Sequence, residues 1–222
     1  GNDILFVKKI MYQLYEHSKT VNDNQTGQSG QWVRIKCLHD VILYTFLPML
    51  EVRCPALLKT MKDHQIEFSL SRYATEILLE YVLCDKLPNK TLNKLLIEVD
   101  NEVLEIPEMG EIIVIDDPVQ PADPAREEKV SDVVELYLFL SEQNCSDLIR
   151  LQYHLLACIV NNLSATNVVR LLLRVKRASV ENSFITLLFE QIAPYLCARI
   201  RDKQEVTDLT TLRDGDNSSL FF

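Results

Sequence analysis

A chain of 222 residues is long enough to bury a sizeable core, either as one large domain or as two small ones. Its apolar content of 47% and its 5 glycines indicate a packed, largely helical protein rather than a disordered one, and we favour two unequal lobes. The net charge of −9 argues against nucleic-acid binding, and the scarcity of glycine argues against a phosphate-cradling loop.

The N-terminal forty residues combine two strand patterns with a polar loop. Residues 3–7 form a short apolar run that predicts a strand, and residues 10–17 predict a helical segment. Residues 18–31 are rich in Asn, Gln, Ser and Gly, which favours a flexible loop. Residues 32–38 then alternate apolar and charged side chains, and this alternation predicts a half-buried strand.

The next segment predicts the rest of a mixed lobe. Residues 39–61 are apolar at helical spacing and are interrupted by two prolines, so we expect two short helices with a bend between them. Residues 66–70 alternate strictly and predict a strand. Ser71 is placed to cap a helix that runs to about Asp85. Strand, helix, helix, strand and helix is an α+β order.

An acidic segment follows, and its character differs from its surroundings. Three short strands are predicted in it, at residues 95–99, 102–106 and 111–116. The last of these could add a strand to the sheet of a partner, or it could be an internal edge strand. Residues 117–128 combine three prolines with acids, which is typical of a linker or a disordered loop.

The C-terminal part predicts an all-helical bundle. Four helices are expected, beginning at Ser131, Ser146, Ser164 and Glu181 and ending near residues 143, 162, 176 and 201. In the third helix, Arg170, Arg174 and Arg177 share one face, which we interpret as a solvated face opposite the leucines. These three arginines together with Lys176 are the one candidate phosphate-binding patch.

The cysteines indicate a reducing compartment. Six cysteines are scattered without a C-x-x-C pair or a Cys-His cluster, so no metal site is predicted and the expected location is intracellular, in the cytoplasm or nucleus. Five Asn-x-Ser/Thr sequences begin at Asn24, Asn89, Asn144, Asn162 and Asn217. We take them as unused. Their use would instead indicate a secreted helical binding protein. No apolar run approaches the length of a membrane span, and no membrane association is expected.

No catalytic constellation is visible in the sequence. His39 follows a strand without a nucleophile and an orienting acid beside it, and is interpreted as a structural histidine at a strand–helix junction. The paired carboxylates lie in the proline-containing acidic segment, where they would not be held to catalytic precision. The prediction is therefore a protein that is not an enzyme and needs no cofactor.

Several segments in order resemble the BTB (POZ) domain followed by a helical BACK extension. They are Asp-Ile-Leu-Phe-Val at 3–7, the strand at 32–38 with His39, Arg-Cys-Pro at 53–55, the strand at 66–70, Tyr-Val-Leu-Cys-Asp at 81–85, and the two amphipathic helices within 147–175. The resemblance implies a small sheet flanked by helices at 1–145, with an acidic insertion at about 89–129. A BACK-like all-α extension at 146–205 and a polar tail at 206–222 would complete the chain.

The same resemblance implies a non-enzymatic adaptor that forms a homodimer and recruits a cullin-RING ubiquitin ligase to a protein substrate, which stays unidentified. The implied dimer interface is Ile4, Phe6, Val41, Leu43 and Tyr44, of which the last three are expected on a helix. The implied cullin contacts are Leu57, Leu58, Met61 and Asp63, because Met61-Lys62-Asp63 is similar to the family's hydrophobic-x-Glu contact. The alternatives are a self-associating BTB scaffold that binds no cullin, or an unrelated helical binding protein.

Overall fold

A computed structural model describes residues 2–24, 30–88, 124–164, 167–178 and 183–200. This part of the chain is α+β, with a three-stranded mixed sheet and a majority of helix. Its elements are α1 (Asn2–Asn24), β1 (Trp32–Lys36), β2 (Ile42–Phe46), α2 (Leu47–Arg53), β3 (Gln65–Glu67), α3 (Arg72–Cys84), α4 (Pro124–Glu142), α5 (Ile149–Asn161), α6 (Val168–Lys176) and α7 (Ser183–Ile200). Short 3₁₀ turns lie at Leu38–Asp40, Pro55–Leu58 and Ser146–Leu148.

The sheet has the order β2-β1-β3. The central strand β1 is antiparallel to β2 and parallel to β3, and Ile35 lies opposite Leu43 on one side and Ile66 on the other. All three side chains are buried. Val33 is buried as well, so the alternation predicted for residues 32–38 is confirmed.

The N-terminal prediction was wrong in two places. Residues 3–7 are not a strand, and residues 18–24 are not a loop, because both belong to α1 together with the predicted helical segment 10–17. Within α1, Ile4, Val7, Met11 and Leu14 recur at intervals of three and four residues, which is the spacing of one helix face. Four consecutive apolar residues concealed this period. Residues 25–29 lie outside the described residues.

The prediction that residues 39–46 are helical was also wrong, because β2 occupies Ile42–Phe46. His39 and Asp40 both have φ near +60°, and the Cys37 N–H donates to the Val41 carbonyl at 2.8 Å, which closes a tight hairpin. Since the turn contains neither Gly nor Asn, nothing in the sequence marked it. His39 therefore lies in a strand–strand turn and not at a strand–helix junction. The two short helical pieces that follow, at α2 and at Pro55–Leu58, are confirmed.

Helix α3 begins and ends as predicted. The Ser71 hydroxyl accepts a hydrogen bond from the Ala74 N–H at 3.1 Å, and Asp85 ends the helix in the left-handed conformation. Arg53, at the end of α2, donates to the Tyr81 and Val82 carbonyls at 3.2 and 3.1 Å and pairs with Asp85. This arginine therefore attaches α2 to the C-terminal end of α3.

The preceding strand is shorter than predicted. Only Gln65–Glu67 is β-strand, although Ile66, Phe68 and Leu70 are all buried as their alternation predicted.

The helical part begins earlier than predicted. Helix α4 starts at Pro124, a position where proline is compatible with a helix. Residues 124–128 are therefore helix and not linker, and Ser131 lies inside the helix. Helices α5, α6 and α7 match the predicted helices, and α7 continues through Pro194. The three predicted strands at 95–116 and the remainder of the predicted linker lie outside the described residues.

One cluster of buried apolar side chains extends from the sheet to α7. It includes Ile35 of β1, Leu78 of α3, Tyr137 of α4, Leu155 of α5 and Leu188 of α7. Helix α4 connects the two regions, since it packs against α3 on one side and against α5, α6 and α7 on the other. The sheet and the helical part thus share a core, while the division at residue 145 stays a prediction.

A second, smaller cluster attaches α1 to the sheet. Val21 packs with Trp32 and Tyr44. The Asn22 side chain accepts from the Tyr44 N–H at 2.6 Å and donates to the Tyr44 carbonyl at 3.3 Å. Asn22 thereby occupies backbone groups on the outer edge of β2 that could otherwise pair with another strand.

Candidate interaction surfaces

The second half of α1 is fixed to its own chain. Tyr15, Ser18 and Val21 are buried, and this half packs against α3 and β2. The Tyr15 hydroxyl donates to the Glu80 carboxylate, and Lys19 Nζ lies 4.2 Å from the centre of the Tyr15 ring. Burial and the neighbouring carboxylate raise the pKa of Tyr15, so its hydroxyl stays protonated as the donor.

The first half of α1 has a different environment. Every side chain from residue 4 to residue 10 is exposed, including the consecutive apolar residues Ile4 (65%), Leu5 (69%), Phe6 (64%) and Val7 (53%). We call residues 4–14 the arm. The other exposed large apolar side chains of the described residues lie singly on separate segments, at Leu38, Val52, Ile149 and Phe189. The arm is therefore the main exposed apolar surface of the described chain, which is typical of an interaction site.

The five residues predicted for a dimer interface do not share one surface. Ile4 and Phe6 are exposed on the arm. Leu43 is buried in the main core and Tyr44 in the small cluster with Trp32, while Val41 is half-buried before β2. Leu43 and Tyr44 belong to a strand rather than to a helix, and their burial removes them from any interface that leaves this fold intact.

The four residues predicted for cullin binding also differ in exposure. Leu57 is buried in the core, Leu58 and Met61 are half-buried, and Asp63 is exposed with φ 49°. Lys62 and Gln65 exchange backbone hydrogen bonds of 3.0 and 2.8 Å, which makes a tight turn before β3. The turn exposes Asp63 to solvent, and the half-buried Met61 precedes it. Leu57 is a core residue and does not belong to this exposed turn.

A cleft of about 220 Å³ lies between α1, α3 and β2. Its charged lining contains both signs, and the cations have partners: Arg72 pairs with Glu76 at 2.7 Å, and Lys19 with Glu16 at 3.3 Å. Sequence analysis missed this cleft, because its walls come from segments about fifty residues apart. The arrangement indicates no particular ligand.

The basic residues in and after α6 are exposed at Arg170, Lys176 and Arg177, as predicted, and half-buried at Arg174. Arg174 makes a bidentate ion pair with Glu135 of α4, at 2.6 and 2.8 Å. Arg170 pairs with Glu127 at 3.2 Å. Carboxylates of α4 thus pair with two of the four basic residues of the candidate phosphate-binding patch, and these ion pairs attach α6 to α4.

A polar junction joins the start of α4 to the connection between α5 and α6. The Arg126 guanidinium donates to Asn162 Oδ1 at 2.7 Å, and Asn162 Nδ2 donates to the Cys158 carbonyl at 2.7 Å. Asn167 Nδ2 donates to the Asn162 carbonyl at 2.8 Å, and the Glu127 carboxylate accepts from Asn167 at 3.4 Å. Asn162 is buried by these contacts, so a glycan at this position is incompatible with the fold.

The junction leads to a prediction about the acidic segment. We expect a chain lacking residues 108–128 to unfold about 2–4 kcal/mol more easily than one lacking residues 108–123, because only the longer deletion removes Arg126 and Glu127 and their charged hydrogen bonds. Urea denaturation of the two variants measures the difference. Equal midpoints and slopes would show that the junction contributes nothing to stability.

Three cysteines are poorly suited to nucleophilic chemistry. All six cysteines are free thiols, and burial raises the pKa of Cys54 to about 12 and of Cys84 and Cys145 to about 11. At neutral pH the thiols of Cys54, Cys84 and Cys145 are protonated. In the described ranges, no group of three or more His, Cys, Asp and Glu side chains is arranged to hold a metal ion.

None of the helices described above is both long enough and apolar enough to cross a bilayer. Comparison with protein-family models, with curated proteins and with solved structures produced no match.

Proposed function

We propose that this chain is a non-enzymatic protein–protein interaction module of the BTB-BACK type, an adaptor that dimerises and recruits a cullin-RING ubiquitin ligase to a protein substrate. The arrangement of elements supports the proposal. A small three-stranded sheet is flanked by helices, and a helical region from α4 to α7 continues it. A small sheet followed by a helical region is the coarse arrangement that the sequence resemblance implies, although residues 3–7, which carry part of that resemblance, are helix in α1 and not strand.

The observation that carries the proposal is the exposed apolar arm. Exposing four consecutive large apolar side chains to water is unfavourable, and each stabilises an assembly that buries it. The rest of the described surface offers no comparable apolar area. Self-association through the arm is therefore the first activity to test.

The turn before β3 supports the cullin part of the proposal. Met61 is half-buried and can serve as an apolar anchor, with exposed Asp63 beside it as a polar rim residue. Leu58 is half-buried and adds apolar area to the same segment. The proposed docking surface is therefore Leu58, Met61 and Asp63, and the buried side chain of Leu57 packs in the core beneath this surface.

A pull-down with a purified cullin N-terminal domain tests the docking surface. We expect Met61→Arg to abolish cullin binding, because a charged side chain replaces the anchor, while the neighbouring Lys62→Ala leaves binding unchanged. Thermal melting verifies that both variants are folded. Absence of cullin binding by the unmodified chain would contradict the ligase part of the proposal and leave self-association standing.

Sedimentation across a range of concentrations tests the dimer part. We expect the solution mass to rise from that of one chain to that of two. A single-chain mass at every concentration would contradict self-association, whatever the cullin result.

A scaffold that self-associates without binding a cullin is the second candidate function. The observation that favours it is the burial of Leu57, which leaves fewer exposed anchors than the sequence predicted. A dimer by sedimentation, combined with no cullin capture, would select this function over the adaptor.

A further inference from the structure

We draw no further inference here: the strongest candidate, the cleft between α1, α3 and β2, has Arg72 paired with Glu76, Lys19 with Glu16 and the Tyr15 hydroxyl with Glu80, so nothing in the structure shows what ligand it would hold.

Discussion

Replacing Tyr137 by Ala is expected to lower the free energy of unfolding by about 3–5 kcal/mol, the cost of removing a large buried side chain. Tyr137 is fully buried in α4, and its hydroxyl donates to the Phe184 carbonyl of α7 at 2.6 Å. Tyr137→Phe retains the ring and is expected to cost about 0.5–1.5 kcal/mol, because it removes one hydrogen bond to a carbonyl in the first turn of α7. Urea denaturation measures both values. Tyr12→Ala, at an exposed position on α1, is the matched control and should leave stability within about 0.5 kcal/mol.

The same variant tests whether the sheet and the helical part unfold together. Trp32 is the single tryptophan and lies in β1, far along the chain from the substituted residue. Because one buried cluster connects the two regions, Tyr137→Ala is expected to shift the Trp32 fluorescence transition as much as the helical circular-dichroism transition. A fluorescence transition that stays at its wild-type midpoint would contradict a shared cooperative core.

The second large effect is expected at Asn162. Asn162→Ala removes the acceptor of the Arg126 guanidinium in a partly buried hydrogen bond and the donor to the Cys158 carbonyl in a buried one. A hydrogen bond to a charged group contributes about 1.5–3 kcal/mol and a neutral one about 1 kcal/mol, so the expected destabilisation is about 2–4 kcal/mol.

Asn24→Ala is the control for this substitution. Asn24 also begins an Asn-x-Ser/Thr sequence, but it is exposed at the end of α1, and its replacement should change stability by less than about 0.5 kcal/mol. Chemical denaturation of the two variants gives the comparison. Equal midpoints for the two variants would contradict the structural role of the junction.

The elements that were predicted most accurately from the sequence are those whose signals lie in neighbouring residues. The alternation at 32–38, the Ser71 cap of α3 and the extents of α5 and α6 each depend on residues within one or two turns of each other. The elements that were predicted least accurately depend on something distant or unmarked. Strand β2 follows a turn in which His39 and Asp40 have positive φ, and no glycine in the sequence indicates that conformation. The apolar residues of β2 also fit a helix equally well.

The candidate surfaces divide in the same way. The apolar composition of residues 4–7 was visible in the sequence, but these residues were predicted as a strand, so the exposed helical arm was not recognised. Leu43, Tyr44 and Leu57 were predicted as contact residues, and their burial could not be known without the strands and helices that cover them. Cullin binding and dimerisation stay predictions for the experiments described above.

The order of apolar and polar residues by itself determined that this chain is α+β with a helical C-terminal part, because helix and strand periods are properties of neighbouring residues. Only the tertiary structure decided which half of α1 is covered, which asparagines are buried and which arginines are paired. Burial and pairing depend on side chains that approach from distant segments, and no local pattern records that approach.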